Sequence, residues 1–111
     1  MTSVDLFMEV AATYRKHGWH LRSVLLRPAT QAMLDKHDPQ LLANIPIKES
    51  GVDALWFSRL SHNNREAWEL RLLGQTQYAL FETFEPDETE EQRDDMKLEM
   101  EARLRNYVLG E

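Results

Sequence analysis

Residues 54–84 read ALWFSRLSHNNREAWELRLLGQTQYALFETF, and this stretch decides the fold. It holds three segments rich in aromatic and aliphatic residues, at 54–61, 66–73 and 77–84, and two short polar stretches separate them. Asparagine tolerates a positive φ, so Asn63-Asn64 favours a two-residue type I′ turn, and Gly74 favours a second turn. The stretch therefore predicts a three-stranded antiparallel β-meander over residues 54–85.

A helix is predicted on each side of the meander. Residues 1–18 carry one apolar stripe at helical spacing, a Thr2 or Ser3 cap and a terminal glycine. Residues 86–110 predict an acidic helix in which Asp87 is the cap and Glu90 completes a capping box. Its apolar residues begin only at Met96, so we expect the second half alone to dock.

The segments between the first helix and the meander are less regular. Residues 19–28 predict a strand that Pro28 stops, and residues 29–53 predict irregular chain with a short helix capped by Thr30. Ile45 and Ile47 allow a short edge strand. The sequence thus predicts a single α+β domain over residues 1–111, ordered α-β-(irregular/short α)-β-β-β-α. We expect a four-stranded, mainly antiparallel sheet with its helices on one face.

Composition narrows the class of partner. The 111 residues carry a net charge of −6 and no cysteine. Residues 1–81 hold nine Lys/Arg and eight Asp/Glu, whereas residues 82–111 hold four and eleven. This balance opposes nucleic-acid binding, which depends on basic patches. The absence of cysteine fits a reducing cytoplasm, and no apolar run approaches the roughly 18–20 residues of a membrane span. The N-terminus has no basic segment typical of a signal peptide.

The predicted register of the hairpins sorts the meander into two faces. A two-residue turn at Asn63-Asn64 gives a first face that forms the core: Leu55, Phe57, Trp68, Leu70, Leu72, Ala79 and Phe81. The second face mixes apolar with charged side chains, which is typical of an interface or ligand surface. Its candidate partner or ligand residues are Trp56, Leu60, Glu69, Arg71, Tyr78, Leu80 and Phe84. Residues 29–53 or a helix are an alternative cover for this face, and a three-residue turn would reverse the sorting.

Residues with catalytic or metal-binding potential are scattered. His17 and His20 do not have the spacing of a metal pair, and the four glycines form no phosphate-binding loop. The sequence therefore assigns no catalytic residue, no metal site and no cofactor. If the strand that bears Arg22 joins the meander, then Arg22, Arg59 and Arg71 can converge on a carboxylate or phosphate. The competing interpretation stacks Arg71 on Trp56.

Three functional hypotheses follow, and an enzyme is not the favoured one. The first is a noncatalytic binding or regulatory module that uses the second face, working as a homodimer or with a protein partner. It predicts that Trp56→Ala or Tyr78→Ala weakens association without unfolding the monomer. The second is a small-ligand protein or enzyme with a pocket between the sheet and residues 29–53, lined by Arg71, Glu69 and Tyr78. The third is an acidic protein that binds a basic partner through Glu91, Asp94 and Asp95.

Overall fold

A five-stranded mixed sheet organises the chain in the computed structural model, which describes residues 1–110. Three α-helices accompany the sheet in one α+β domain, so the predicted fold class is confirmed. The elements in chain order are α1 (Ser3–Lys16), β1 (His20–Leu26), α2 (Pro28–His37), β2 (Ile47–Glu49), β3 (Ala54–Leu60), β4 (Glu66–Leu72), β5 (Ala79–Phe84) and α3 (Glu90–Leu109).

The strands lie in the order β2-β1-β3-β4-β5. All neighbours are antiparallel except β1 and β2, which pair in parallel because α2 connects them across the sheet. The expected four strands are therefore five, and the fifth is the edge strand that Ile45 and Ile47 allowed. It covers only Ile47–Glu49, too short for an alternating pattern to reveal it.

Of the N-caps predicted for the first two helices, one is confirmed and one is wrong. Thr2 caps α1 as predicted, since its hydroxyl accepts a hydrogen bond from the Asp5 N–H at 3.0 Å. The predicted role of Thr30 is wrong, because α2 already starts at Pro28. Thr30 is instead buried within the helix, and its hydroxyl donates to the Asp53 carboxylate at 2.6 Å.

The last helix begins at Glu90 rather than at residue 86, so the predicted Asp87 cap is wrong. Thr89 is the cap, and its hydroxyl accepts from the Gln92 N–H at 3.1 Å while Gln92 accepts from the Thr89 N–H at 3.0 Å. This is a full capping box two residues further along, and it leaves Asp87 in the turn before the helix.

The helices lie on both faces of the sheet, which corrects the expectation of a single covered face. We name the faces by their helices. The core on the α1 face contains Phe7, Val10, Tyr14, Trp19, Val24, Leu26, Leu34, Leu42, Leu55, Phe57, Ala67 and Leu73. The core on the α3 face contains Leu25, Val52, Ala54, Trp56, Leu70, Leu72, Met100 and Leu104. The central strand β3 is consequently covered on both sides, with Ala54 to Ser58 all buried.

The hairpin between β3 and β4 explains why the predicted faces were mixed. The Ser61 N–H donates to the Arg65 carbonyl at 2.8 Å and closes a three-residue loop, in which Asn63 and Asn64 have φ of 59° and 61°. Both asparagines adopt the left-handed conformation as predicted, but the odd loop length shifts the register by one residue. Trp56 lies opposite Leu70, and Phe57 lies opposite Glu69. The β4–β5 register is shifted in the same way, with Leu70 opposite Leu80.

Candidate functional site

The predicted partner residues divide between the two faces of the sheet. Trp56, Tyr78, Leu80 and Phe84 lie on the α3 face, whereas Glu69 and Arg71 lie on the α1 face. Leu60 ends β3 on the α3 side and is 78% exposed. The structure therefore does not assemble these seven residues into one surface.

Trp56 belongs to the core, and its prediction as part of a free surface is wrong. It is 3% exposed, and its indole N–H donates to the Glu101 carboxylate of α3 at 2.9 Å. The other oxygen of Glu101 accepts from the Lys48 ammonium of β2 at 2.8 Å. The buried carboxylate thus ties α3 to both β3 and β2, so the last helix covers the face that the sequence left without a partner.

Tyr78 is also held by α3. Its ring stacks on Tyr107 with 3.8 Å between centroids and 9° between planes. Leu80 packs against the same core, and Phe84 is 2% exposed. The apolar stripe of α3 from Met96 onward docks as predicted, through Met96, Met100 and Leu104.

Glu69 and Arg71 contact α1 rather than residues 29–53. The Tyr14 hydroxyl donates to Glu69, and burial raises the pKa of Tyr14 to about 12, with the Glu69 hydrogen bond adding to the effect. Arg71 lines a cavity of about 430 Å³ that α1 borders. Tyr78 lies on the opposite face, so the three residues predicted for one pocket do not share one. Arg71 is likewise separated from Trp56 by the thickness of the sheet, which excludes the predicted stacking.

The outer edge of β5 exposes polar backbone. Leu72 N–H donates to the Tyr78 carbonyl at 2.9 Å, and in this register the even-numbered residues of β5 bond to β4. The N–H and C=O groups of Ala79, Phe81 and Thr83 therefore point away from the sheet. Of these three N–H groups within the described residues, that of Thr83 alone donates to a side chain, the Glu82 carboxylate at 3.3 Å.

Phe81 is the residue at this edge that sequence reasoning misplaced. It was assigned to the core, yet it is 57% exposed on the α1 face, where its ring meets Trp19 edge to face with centroids 6.4 Å apart. Its predicted face is right, because Phe81 shares the side of Phe57 through Glu69, but β5 is the outermost strand of the sheet and leaves the ring exposed.

A groove on the α3 face runs between β1 and the side of α3. Two adjoining cavities of about 660 and 460 Å³ form it, and both are lined by Arg22 and Trp68. We call it the Arg22 groove; His20, Arg22, Ser58, Leu60, Trp68 and Lys97 line it. The strand with Arg22 does join the meander as anticipated, through its pairing with β3.

The three arginines nevertheless do not converge. The guanidinium of Arg59 lies 4.6 Å from the Trp19 ring centroid and donates to the His17 carbonyl at 2.8 Å. Arg71 is on the α1 face. Arg22 alone directs its guanidinium along the floor of the groove, where its Nε donates to the Ser58 hydroxyl at 2.7 Å.

The acidic surface lies on the first turns of α3. Glu91, Asp94 and Asp95 are exposed, and none of them forms an ion pair with another residue of the described range. Arg93 of the same turns faces inward instead, and donates to Glu66 at 3.1 Å and to the Glu85 carbonyl at 2.8 Å.

Residues 1–110 contain no cluster of three or more His, Asp or Glu side chains placed to hold a metal ion. None of the helices in this range is long and apolar enough to cross a membrane. No protein-family model matches the chain, and neither a curated protein nor a solved structure matches it.

Proposed function

We propose that this domain is a noncatalytic protein-interaction module that pairs with a second copy of itself through the outer edge of β5. The observation that carries the proposal is the free edge itself: six residues long, with outward N–H and C=O groups at Ala79 and Phe81. An exposed strand edge is a template for another strand, and an exposed aromatic side chain adds apolar contact.

The edge is complementary to itself. Antiparallel pairing centred on Phe81 sets Phe81 against the same residue of the second copy, and Ala79 against Thr83. These are the residues whose backbone groups point outward in the register of β4 and β5. A twofold axis requires such an arrangement, in which each residue meets its counterpart reciprocally. The two Phe81 rings then lie side by side on the α1 face, each against its own Trp19.

The charges on β5 are compatible with this pairing. Glu82 is the one charged residue of the strand, and in the paired register it faces Leu80 of the second copy rather than another carboxylate. Like charges directly opposed across strands destabilise a sheet, so their separation supports the self-pairing. The Thr83 N–H exchanges the Glu82 carboxylate for the Ala79 carbonyl of the other chain.

Sedimentation velocity combined with amide hydrogen exchange tests the proposal. The weight-average mass of the wild-type protein should rise from monomer to dimer with concentration, because association follows mass action. The amides of Ala79 and Phe81 should become protected over the same range, while those of β2 do not. A monomer at every concentration, or a dimer that leaves both β5 amides unprotected, refutes pairing through this edge.

A further inference from the structure

Arg22 occupies an irregular position in β1 that turns its side chain toward the groove. Leu21 pairs with Phe57 and Ser23 pairs with Trp56, so Arg22 is an additional residue with no opposite number in β3. Such a bulge breaks the alternation of the strand and re-aims a side chain, and bulges recur beside functional sites. The bulge therefore places both Arg22 and Ser23 on the α3 side, where they border the same cavity.

The guanidinium of Arg22 is held in place but has no acidic partner. Its Nε donates to the hydroxyl of Ser58, which is 4% exposed, at 2.7 Å. No carboxylate of residues 1–110 forms an ion pair with it. Its two terminal nitrogens remain for a ligand, and this fork matches the two oxygens of a carboxylate or phosphate.

Two of the carboxylates that border the groove already have donors. Glu66 accepts from the Trp68 indole N–H at 3.0 Å and from Arg93 at 3.1 Å. Glu101 accepts from Trp56 and Lys48, as described above. Asp94 at the rim is the remaining carboxylate.

A second cation lies on the helix side of the groove. The Lys97 ammonium is 3.5 Å from the centroid of the Trp68 ring. Burial lowers the pKa of Lys97, while Asp94, Glu90 and Glu66 act in the opposite direction. An anion in the groove would offset the desolvation of this ammonium. Arg22 and Lys97 thus line the same cavity, which the Trp68 indole also borders.

From this arrangement we infer that the Arg22 groove binds the carboxylate or phosphate of a small organic acid. The oxyanion takes the terminal nitrogens of Arg22 and the ammonium of Lys97. The apolar body of the ligand packs against Trp68 and the 78% exposed side chain of Leu60. None of the residues that line this groove belongs to β5, so the site does not depend on self-pairing.

Titration by nuclear magnetic resonance tests the inference with three probes of similar size: benzoate, phenyl phosphate and the neutral benzyl alcohol. The acids should shift the Arg22 Nε–H and the Trp68 indole N–H in a saturable manner. Arg22→Gln should weaken acid binding about tenfold or more, because it removes charge-assisted hydrogen bonds. Arg22→Lys should lose most of the affinity too, since a point charge cannot replace the planar fork.

Arg103→Gln is the matched control, because Arg103 is an exposed arginine on α3 that does not line the groove. It should leave acid binding within about twofold of wild type, since exposed charges contribute little at moderate salt. Tighter binding of one acid identifies which oxyanion the groove prefers. The inference is wrong if neither acid saturates, if benzyl alcohol binds as well as the acids, or if Arg22→Gln and Arg103→Gln weaken binding equally. Far-UV circular dichroism of all three variants verifies that they fold.

Discussion

Each edge strand of the sheet leaves backbone N–H and C=O groups without a neighbouring strand, and β2 and β5 differ in how open these groups are to another chain. β2 presents only three residues, and its Lys48 side chain is anchored by the buried Glu101. β5 presents six residues and an exposed phenylalanine, with one outward N–H covered by Glu82. Short, charged edges resist pairing with other chains, whereas long apolar edges invite it. One edge is therefore short and anchored by α3, whereas the other exposes the strand through which we propose self-pairing.

The largest expected effect comes from breaking the anchored edge. Glu101→Ala leaves the Trp56 indole N–H buried without an acceptor and frees Lys48 from α3. We expect the free energy of unfolding to fall by about 3 kcal/mol, because removing one partner of a buried, hydrogen-bonded ion pair destabilises a protein by this order of magnitude. Urea denaturation measures it. Glu99→Ala is the control, because its exposed pair with Arg103 contributes below about 0.5 kcal/mol. Equal losses in both variants would contradict the anchoring role.

The second effect tests the open edge. Phe81→Lys places a charge where the two rings meet and removes their apolar contact, so self-association should weaken about tenfold or more. Stability should change little, because the side chain is already more than half exposed. Ile47→Lys makes the same change on β2 and should leave association unaltered. Sedimentation velocity measures the self-association of both variants. Weaker association of the Ile47→Lys variant would indicate a contact through β2 and contradict pairing through β5.

A smaller effect is expected in the opposite direction at Glu82. Glu82→Gln weakens the hydrogen bond that covers the Thr83 N–H and removes a charge from the pairing strand. Association should therefore strengthen by about twofold to fivefold, the scale of one weak cross-strand contact. Glu49→Gln removes a charge from β2 and serves as the control. Weaker association of the Glu82 variant would show that its carboxylate supports pairing rather than opposing it.

The smallest expected effect is a pH dependence at Glu66, the first residue of β4. The Trp68 indole N–H, aided by Arg93, lowers the pKa of Glu66 from its ordinary value of 4.5. A carboxylate with a lowered pKa stabilises the fold above its ordinary value and loses that contribution as pH falls through the lowered one. Glu66→Gln should therefore flatten the decline of stability below about pH 4.5. Unfolding curves between pH 6 and pH 3 measure this, and parallel declines in both proteins would contradict it.

The element order followed from the sequence because each element carries its own local signals. Thr2 and Gly18 bound the first helix, and the polar stretches at Asn63-Asn64 and Gly74 separate the strands. The assignment of side chains to the two faces of the sheet could not be predicted in the same way. A pair of asparagines suits a loop of three residues as well as a loop of two. One residue of register moved Leu70 of β4 to the α3 face and brought Glu69 and Arg71 to the α1 face.

The candidate site was harder to predict than the fold for a related reason. The pattern of apolar and polar residues along a strand does not reveal a β-bulge. The sequence therefore could not show that Arg22 interrupts the regular pairing of β1 with β3. The two capping boxes near Asp87 and Thr89 were also equivalent as local patterns. The structure uses the box of Thr89 and Gln92 and leaves Asp87 in the preceding turn.

The anchoring of the sheet by α3 has a consequence for synthesis. Every strand precedes α3 in the chain, so the strands leave the ribosome before the helix that covers them. During that interval Trp56, Trp68 and Leu70 lie uncovered, and partly made domains with uncovered apolar surface are prone to aggregate. The highly polar opening of α3, which emerges next, brings negative charge to that uncovered surface before the covering residues arrive. Translation order thus places a solubilising segment ahead of the one that completes the core.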